Sequence, residues 1–160
     1  MKIAFVIPKE DDQHNPLNQR SQGRIFPPVG LARMVGIVGK QADVSLNDER
    51  LDHTHTVNNA QITIIFVNSY NQQRACDLAR HYHDIGCLVV LTGPILSHSL
   101  ELDHSAVDCL FIGAGEDNLA DFLADYRSGK TRRFYRSEKS KTTSNQSGRN
   151  FENTALSLAS

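Results

Sequence analysis

The sequence predicts an α/β domain in which a parallel β-sheet carries helices on both faces. Short runs of almost continuously apolar residues are typical of strands that are buried on both sides. Helical patterns, with apolar residues three or four positions apart, separate these runs along the chain. Strands that alternate with helices indicate parallel pairing through crossover connections, and therefore a doubly wound sheet.

Strand character is found in five segments, four of which are nearly continuous apolar runs. The segments are KIAFVI (2–7), DVSLN (43–47), QITIIFV (61–67), CLVVLT (87–92) and DCLFIG (108–113). Helical patterns cover 27–40, 71–86 and 116–129, and each of them ends at or beside a glycine. Right-handed crossovers between five strands favour the flavodoxin-like (Rossmann-like) order 2-1-3-4-5. The link 48–60 is short for a crossover helix, and 94–106 offers only a short one.

Length and composition limit the class of protein. A chain of 160 residues suits one domain, which we place at 1–136. From 137 to 160 the sequence is polar and poor in large apolar residues, so we expect a disordered tail. The net charge of −1 gives no electrostatic reason to expect nucleic acid or membrane binding. No apolar window approaches the roughly 20 residues of a membrane span, and the N-terminus lacks a secretory signal, so we expect a cytoplasmic protein.

The cysteines and most histidines form no metal-binding motif. The three cysteines are widely and unequally spaced within or beside apolar stretches, so we expect small buried side chains. The histidines of DHTHT suit a solvated loop, and those that flank Tyr82 suit a helix surface. The residues concerned are Cys76, Cys87, Cys109, His53, His55, His81 and His83.

Polar and glycine residues follow the predicted strands, at the edge where an open parallel sheet binds its ligands. The candidates are Asp48, Glu49 and Arg50 after the second strand, Asn68, Ser69 and Tyr70 after the third, Thr92, Gly93 and Pro94 after the fourth, and Gly113, Ala114, Gly115 and Glu116 after the fifth. Glycine leaves room for an approaching ligand, although it is also an ordinary turn residue. Because three adjacent loops share this character, the sequence favours a ligand site.

Common nucleotide motifs are absent from these loops. The GAG of Gly113–Gly115 lacks the third glycine of a dinucleotide-binding turn and follows the last strand instead of the first. The chain contains no GxxxxGK[ST] phosphate-binding loop. Ser69 does not lie in a GxSxG turn, so hydrolase chemistry lacks its usual frame.

Three stretches resemble one known family. FPPVGLARMVGIVGKQADVSLNDER (26–50), VVLTGPILS (89–97) and DCLFIGAGEDNLADFLADYRSGKTRRFYR (108–136) are similar in order and spacing to the N-terminal cobalamin-binding domain of B12-dependent radical S-adenosylmethionine proteins. The resemblance extends over about residues 1–136 and implies a flavodoxin-like fold that binds cobalamin through its strand-end loops.

The resemblance also implies a role for each candidate loop. It puts Asn68, Ser69 and Tyr70 along the corrin edge, and Thr92, Gly93 and Pro94 near the ring or the nucleotide tail. It puts Gly113, Ala114, Gly115 and Glu116 against the tail or a corrin amide, and Asp48, Glu49 and Arg50 on the lower side.

The chain departs from this family because it has no CxxxCxxC motif for an iron–sulfur cluster. We therefore expect a cobalamin-binding domain that is not an enzyme alone. It is either a stand-alone binding domain, the partner of a separate radical S-adenosylmethionine subunit that completes any reaction, or a truncated relic. Two alternatives remain open. One is an interaction or regulatory module that has lost the ligand, and the other is a small nucleotide- or flavin-binding protein.

His14 is the candidate metal ligand. Asp12 and His14 match the first part of the D-x-H-x-x-G motif of methionine synthase and the mutases, whose histidine binds cobalt. In that arrangement Asp12 would orient the imidazole. However, Leu17 replaces the glycine, and Pro16 stiffens the loop. The alternative, which the sequence favours, is an exposed loop histidine.

Overall fold

The computed structural model describes residues 1–11, 28–51, 59–97 and 102–137. Within these ranges the chain forms six strands and three α-helices. In chain order they are β1 (Lys2–Ile7), α1 (Val29–Val38), β2 (Asp43–Asp48), β3 (Ile62–Phe66), α2 (Gln72–Asp84), β4 (Leu88–Thr92), β5 (Cys109–Ile112), α3 (Gly115–Arg127) and β6 (Phe134–Arg136). The segment 94–106, for which a short helix was predicted, contains a 3-10 turn at Pro94–Ser97.

The strands form one sheet in the order β2-β1-β3-β4-β5-β6, and every pair is parallel. The predicted α/β class with a parallel sheet is confirmed, but the predicted count of five strands was wrong by one. The order 2-1-3-4-5 is extended by β6, which pairs with β5 at the edge of the sheet. Strand β6 has three residues with a single buried side chain, so it has none of the apolar continuity that identified β1, β3, β4 and β5.

Helices cover both faces of this sheet, as a doubly wound fold requires. On one face, α1 and α3 pack over side chains such as Phe5 and Ile64. On the other face, α2 packs over neighbouring residues such as Val6 and Ile65. Successive residues of the central strands point to opposite faces, so each strand supplies both layers of the core, which explains its continuous apolar sequence.

Strand β6 is attached to α3 by its tyrosine. Tyr135 is 2% exposed, and its ring makes edge-to-face contacts with Phe111 and Phe122. The Tyr135 hydroxyl donates to Oδ2 of Asp125 over 2.9 Å and accepts the Arg132 backbone N–H over 2.9 Å. The Arg132 guanidinium also lies over the ring, 4.4 Å from its centroid. A short edge strand is therefore stabilised mainly by one side chain.

The residue after β6 belongs to the ordered domain. Ser137 is 4% exposed, its backbone N–H donates to the Ile112 carbonyl, and its Oγ accepts the Ala114 backbone N–H over 3.0 Å. Ser137 therefore connects the end of β6 to the turn between β5 and α3. The rest of the predicted tail, 138–160, lies outside the described residues, as does most of the link 48–60.

The three cysteines are buried, as predicted, and none of them forms a disulfide. Burial raises the pKa of the Cys109 thiol to about 11, so this thiol is protonated at neutral pH and is a poor nucleophile. In the described ranges, none of the helices is long and apolar enough to cross a membrane.

We expect Tyr135→Phe to lower the free energy of unfolding by about 1 kcal/mol, because the partly buried Arg132 N–H and the Asp125 carboxylate each lose a partner. The matched control is Tyr126→Phe. Tyr126 lies on the same helix as Asp125, and the Tyr126 ring also contacts Phe122. Urea unfolding of both variants measures the difference. Equal stability of the two variants would show that the Tyr135 hydroxyl does not hold β6.

Candidate functional site

The carboxyl ends of the strands meet at one edge of the sheet, where a first cavity of about 250 Å³ lies between α1 and α3. We call it the α1–α3 cavity. Seven of the thirteen residues predicted from the strand-end loops line it, together with five residues that were not predicted. The predicted residues are Thr92, Gly93, Pro94, Gly113, Ala114, Gly115 and Glu116, and the others are Pro28, Gly30, Leu31, Met34 and Phe66.

The lining of the α1–α3 cavity is mainly apolar, with one carboxylate. Leu31 and Met34 are buried on α1, and Phe66 is partly buried at the end of β3. Glu116, in the first turn of α3, pairs with Nη1 of Arg33 over 3.3 Å. This pair is exposed on the arginine side, where 67% of the side chain is accessible, so it contributes little to stability. The glutamate is therefore available as a hydrogen-bond acceptor at the cavity.

Two helices begin at this cavity. Among the described residues, no side chain caps the N-terminus of α1 or of α3. The first N–H groups of a helix have no partner within the helix. A ligand oxygen that enters the cavity would therefore lie near the first turns of both helices, at the favourable end of each helix dipole.

Packing of the backbone explains the glycines of this cavity. Gly93 has a φ of +144°, and a Cβ atom there would lie 1.9 Å from the Val67 carbonyl oxygen. A Cβ atom on Gly115 would lie 2.6 Å from Oγ1 of Thr92 and 2.9 Å from Sδ of Met34. Gly113 has a φ of +87°, which also favours glycine. The sequence suggested glycines that admit a ligand, but the fold itself needs them, so the argument for a ligand rests on the cavity.

Side-chain amides brace the loops around this edge, which the sequence analysis missed. Asn71 accepts the Asn68 backbone N–H at Oδ1 over 2.8 Å and donates from Nδ2 to the Phe66 carbonyl over 3.2 Å. Asn118 donates from Nδ2 to the Ile112 carbonyl over 3.1 Å. Both amides are buried. Asparagine is a common loop-bracing residue, but the sequence does not show which carbonyl it will reach.

A second cavity, of about 400 Å³, lies at the ends of β1, β2 and β3 beside α2. We call it the α2 cavity. Its lining is rich in charged and polar side chains, and only Glu49 and Tyr70 were among the predicted residues. The lining residues are Lys9, Glu10, Asp11, Glu49, Tyr70, Asn71, Gln73, Arg74 and Asp77.

Glu49 makes the strongest polar contacts of the α2 cavity. Its side chain is 3% exposed and accepts two hydrogen bonds from Arg74, of 2.9 Å and 2.6 Å, and one from the Lys9 backbone N–H. Burial by itself raises the pKa of Glu49, but the bonds from Arg74 and Lys9 outweigh it and hold the pKa below its usual value. Glu49 is therefore ionised at neutral pH and fastens the end of β2 to α2.

The other two predicted residues after β2 pair with each other. Arg50 donates from Nε and Nη2 to the two Asp48 oxygens, over 2.8 Å and 2.7 Å. These bonds raise the pKa of Arg50 against the opposing effect of burial. Neither residue lines either cavity, and a ligand that used one of them would have to break this bidentate pair.

The loop after β3 separates the two cavities, since Phe66 lines one and Tyr70 the other. Asn68 donates from Nδ2 to Oε1 of Glu10 over 2.8 Å and accepts the Tyr70 N–H at Oδ1. Ser69 is exposed at the outer side of this loop. The structure thus brings Asn68, Ser69 and Tyr70 to the edge of the sheet between the cavities.

The candidate metal ligand lies outside the described residues, and so do His53 and His55. His81 and His83 are exposed on α2, as predicted. In the part of the chain that the structure describes, no group of three or more His, Cys, Asp or Glu residues is arranged to bind a metal ion. The proposal for His14 is therefore neither supported nor opposed.

Comparison with known proteins gives no relative to guide the assignment. No family model matches the chain, and no similar curated protein or solved structure was found.

We expect Glu49→Gln to lower the free energy of unfolding at pH 7 by about 1–2 kcal/mol, because the amide cannot accept both hydrogen bonds from Arg74. The Arg74 side chain is half exposed, so water can replace part of the lost interaction, which keeps the loss of stability small. A carboxylate with a lowered pKa stabilises the fold above its unfolded pKa, and this stabilisation disappears as the pH falls through the folded pKa. The difference between wild type and variant should therefore shrink below about pH 4.5.

Urea unfolding at pH 7 and at low pH measures this difference. Asp77→Asn is the control, because Asp77 lines the same cavity but its side chain is 46% exposed. A difference that stays constant down to low pH would mean that the ionised carboxylate is not the source of the stabilisation.

Proposed function

We propose that the chain binds a cobalamin at the carboxyl edge of its sheet, with the base and ribose of the nucleotide tail in the α1–α3 cavity. The observation that carries this proposal is the cavity itself. It lies at the ends of β3, β4 and β5, and most of the loop residues that resemble the cobalamin-binding family line it. The resemblance extends over three separate stretches of sequence, each of which ends at this edge.

The lining suits a flat aromatic group that is attached to a sugar. Leu31, Met34 and Phe66 offer an apolar surface for an aromatic ring. A ribose hydroxyl can donate to the Glu116 carboxylate and accept from an N–H group of the first turn of a helix. Side chains of this fold thus match both ends of a nucleoside.

The volume of the α1–α3 cavity suits one part of a ligand better than a complete ligand. Pockets for complete drug-sized ligands measure about 300–1,000 Å³, whereas this cavity measures about 250 Å³. A cobalamin needs only the end of its nucleotide tail to enter, while the corrin lies outside against the loops that follow the strands. Its cobalt would supply the reactive centre for methyl transfer.

A nucleotide or flavin phosphate is less suited to the same cavity. A nucleotide with several phosphate groups would bring more than one negative charge against the Glu116 carboxylate, which lies among the lining residues, whereas a cobalamin tail carries a single phosphodiester. The turn also lacks the third glycine of a dinucleotide-binding loop. We therefore prefer cobalamin to nucleotide among the ligands that contain a nucleoside.

In this proposal the chain binds and orients the cobalamin, and it supplies no iron–sulfur cluster chemistry. Its three cysteines are at positions 76, 87 and 109, so it offers no CxxxCxxC motif. A separate radical S-adenosylmethionine subunit would complete any methyl-transfer or radical reaction.

We expect purified protein to retain hydroxocobalamin after anaerobic incubation and desalting, and Gly30→Gln to weaken binding by about tenfold or more. A Cβ atom at Gly30 would lie 3.4 Å from Oε2 of Glu116, so the new side chain is tolerated by the helix and enters the cavity. Absorption titration measures the affinity of each variant.

The matched control is Gly36→Gln, on the same helix, where a Cβ atom would have no neighbour within 4 Å. Both substitutions replace a helical glycine, so both should strengthen α1 by up to about 1 kcal/mol. Equal affinity of the two variants for hydroxocobalamin would mean that the nucleotide tail does not bind in this cavity. A wild-type protein that retains no cobalamin would overturn the proposal altogether.

A further inference from the structure

Strand β2 leaves one edge of the sheet open. It is the first strand in the order β2-β1-β3-β4-β5-β6, and among the described residues no strand pairs with its outer side. The N–H groups of Asp43 and Glu49 donate to carbonyls on the β1 side, over 3.0 Å and 2.9 Å. Every second residue of a parallel strand bonds to the same neighbour. The backbone N–H and C=O groups of Val44 and Leu46 therefore point away from β1, in position to bond to a further strand.

The two edges of the sheet differ in how they are protected. Exposed edge strands invite pairing with another chain, and proteins usually protect them with charged side chains, with proline or by keeping the strand very short. Strand β6, at the other edge, has only three residues, and Arg132, Arg133 and Arg136 lie in or beside it. Strand β2 has six residues, and its only charged side chains are aspartates at its two ends. Its Leu46 side chain is 51% exposed beside the open backbone.

A second copy of the chain fits this edge, because β2 can pair with itself. Two edge strands related by a two-fold axis run antiparallel, and each surface patch meets its own copy. Residues whose backbone groups point outward must then lie opposite one another. The two registers that pair five of the six residues of β2 are centred on Ser45 and on Leu46.

The register centred on Ser45 is the more favourable of the two. It places Val44 opposite the partner's Leu46 on both sides of the axis, so apolar side chains contact each other across the strands. The register centred on Leu46 would instead place Val44 opposite the partner's Asp48 and would need the Asp48 carbonyl as an acceptor. That carbonyl already accepts the Leu51 N–H over 3.1 Å. The register centred on Ser45 keeps this turn intact.

We infer that two copies of the chain associate through β2 into a two-fold dimer with one continuous sheet. In this register Asp43 lies opposite the partner's Asn47, so no aspartate faces another aspartate. The net charge of −1 per chain adds little repulsion between the copies. A single pair of edge strands buries less surface than a standard interface, so we expect a weak dimer. Val44 and Leu46 line neither the α1–α3 cavity nor the α2 cavity, so this inference does not rest on the proposed function.

The dimer predicts a mass that depends on protein concentration. We expect sedimentation equilibrium to show a mass that rises toward twice the monomer mass between about 10 μM and 1 mM. Leu46→Lys puts a charge against the partner's Val44, so it should weaken association by about tenfold or more. The matched control is Leu51→Lys, which should associate like wild type, because Leu51 is 54% exposed but lies outside β2.

Circular dichroism and urea unfolding verify that both lysine variants are folded. A wild-type protein that stays monomeric throughout this range of concentration would overturn the inference. Equal association of the two lysine variants would also overturn it, because the contact would then lie elsewhere on the surface.

Cross-linking tests the register directly. In the proposed dimer the two Ser45 residues face each other on the axis as a pair without mutual backbone hydrogen bonds, whose Cα atoms lie about 4.5 Å apart. This distance is within the range of about 4.4–6.8 Å that a disulfide spans. Ser45→Cys should therefore form a disulfide-linked dimer under mild oxidation with a copper catalyst.

The matched control for cross-linking is Asp43→Cys, on the same strand and the same face. The partner's residue 43 would lie four positions along the strand from the residue opposite it, roughly 13 Å away, which is too far for a disulfide. The three native cysteines are buried, so wild type measures the background. If Ser45→Cys cross-links no faster than Asp43→Cys, β2 does not pair with itself in this register and the inference is wrong.

Discussion

The carboxyl edge of the sheet depends on one close approach of backbone to backbone. The chain leaves β4 at Gly93 so near to Val67 that a Cβ atom would lie 1.9 Å from the Val67 carbonyl oxygen. The Val67 N–H donates to the Thr92 carbonyl at the same place, over 2.7 Å. Any other residue at 93 would force β3 and β4 apart. This constraint sets the positions of the loops that separate and line the two cavities, so the shape of the candidate site is a consequence of the sheet itself.

The candidate site also depends on β6, which is distant in sequence from Gly93. Ser137 follows β6 and accepts the Ala114 N–H, which belongs to the turn between β5 and α3. That turn lines the α1–α3 cavity. The Tyr135–Asp125 hydrogen bond, which fastens β6 to α3, therefore supports the cavity although neither residue lines it. A site that is supported in this way can keep its shape before a ligand arrives, which lowers the entropic cost of binding.

The sequence predicted the parts of the fold that leave a pattern in consecutive residues. Four strands were found because buried parallel strands are apolar on both faces, and three helices because their apolar residues recur at helical spacing. Strand β6 has one buried side chain, and its stability comes from contacts with α3 that no local pattern records. The same limit applies to Glu49 and Arg74, which are 25 residues apart and meet only because β2 and α2 converge. The sequence analysis identified the glycines of the strand-end loops but not the reason for them. A close approach of backbone and a close approach of a ligand both require glycine, so the sequence does not distinguish the two.

The arrangement of the two cavities limits the kind of ligand more strongly than either cavity does alone. One is lined mainly by apolar residues and glycines at the starts of α1 and α3, and the other by charged and polar side chains beside α2. A small ligand would use one cavity and leave the other unexplained. A ligand with a large flat body and unlike peripheral groups would use both, because the loop after β3 lies between them and is held by Asn71 and Asn68.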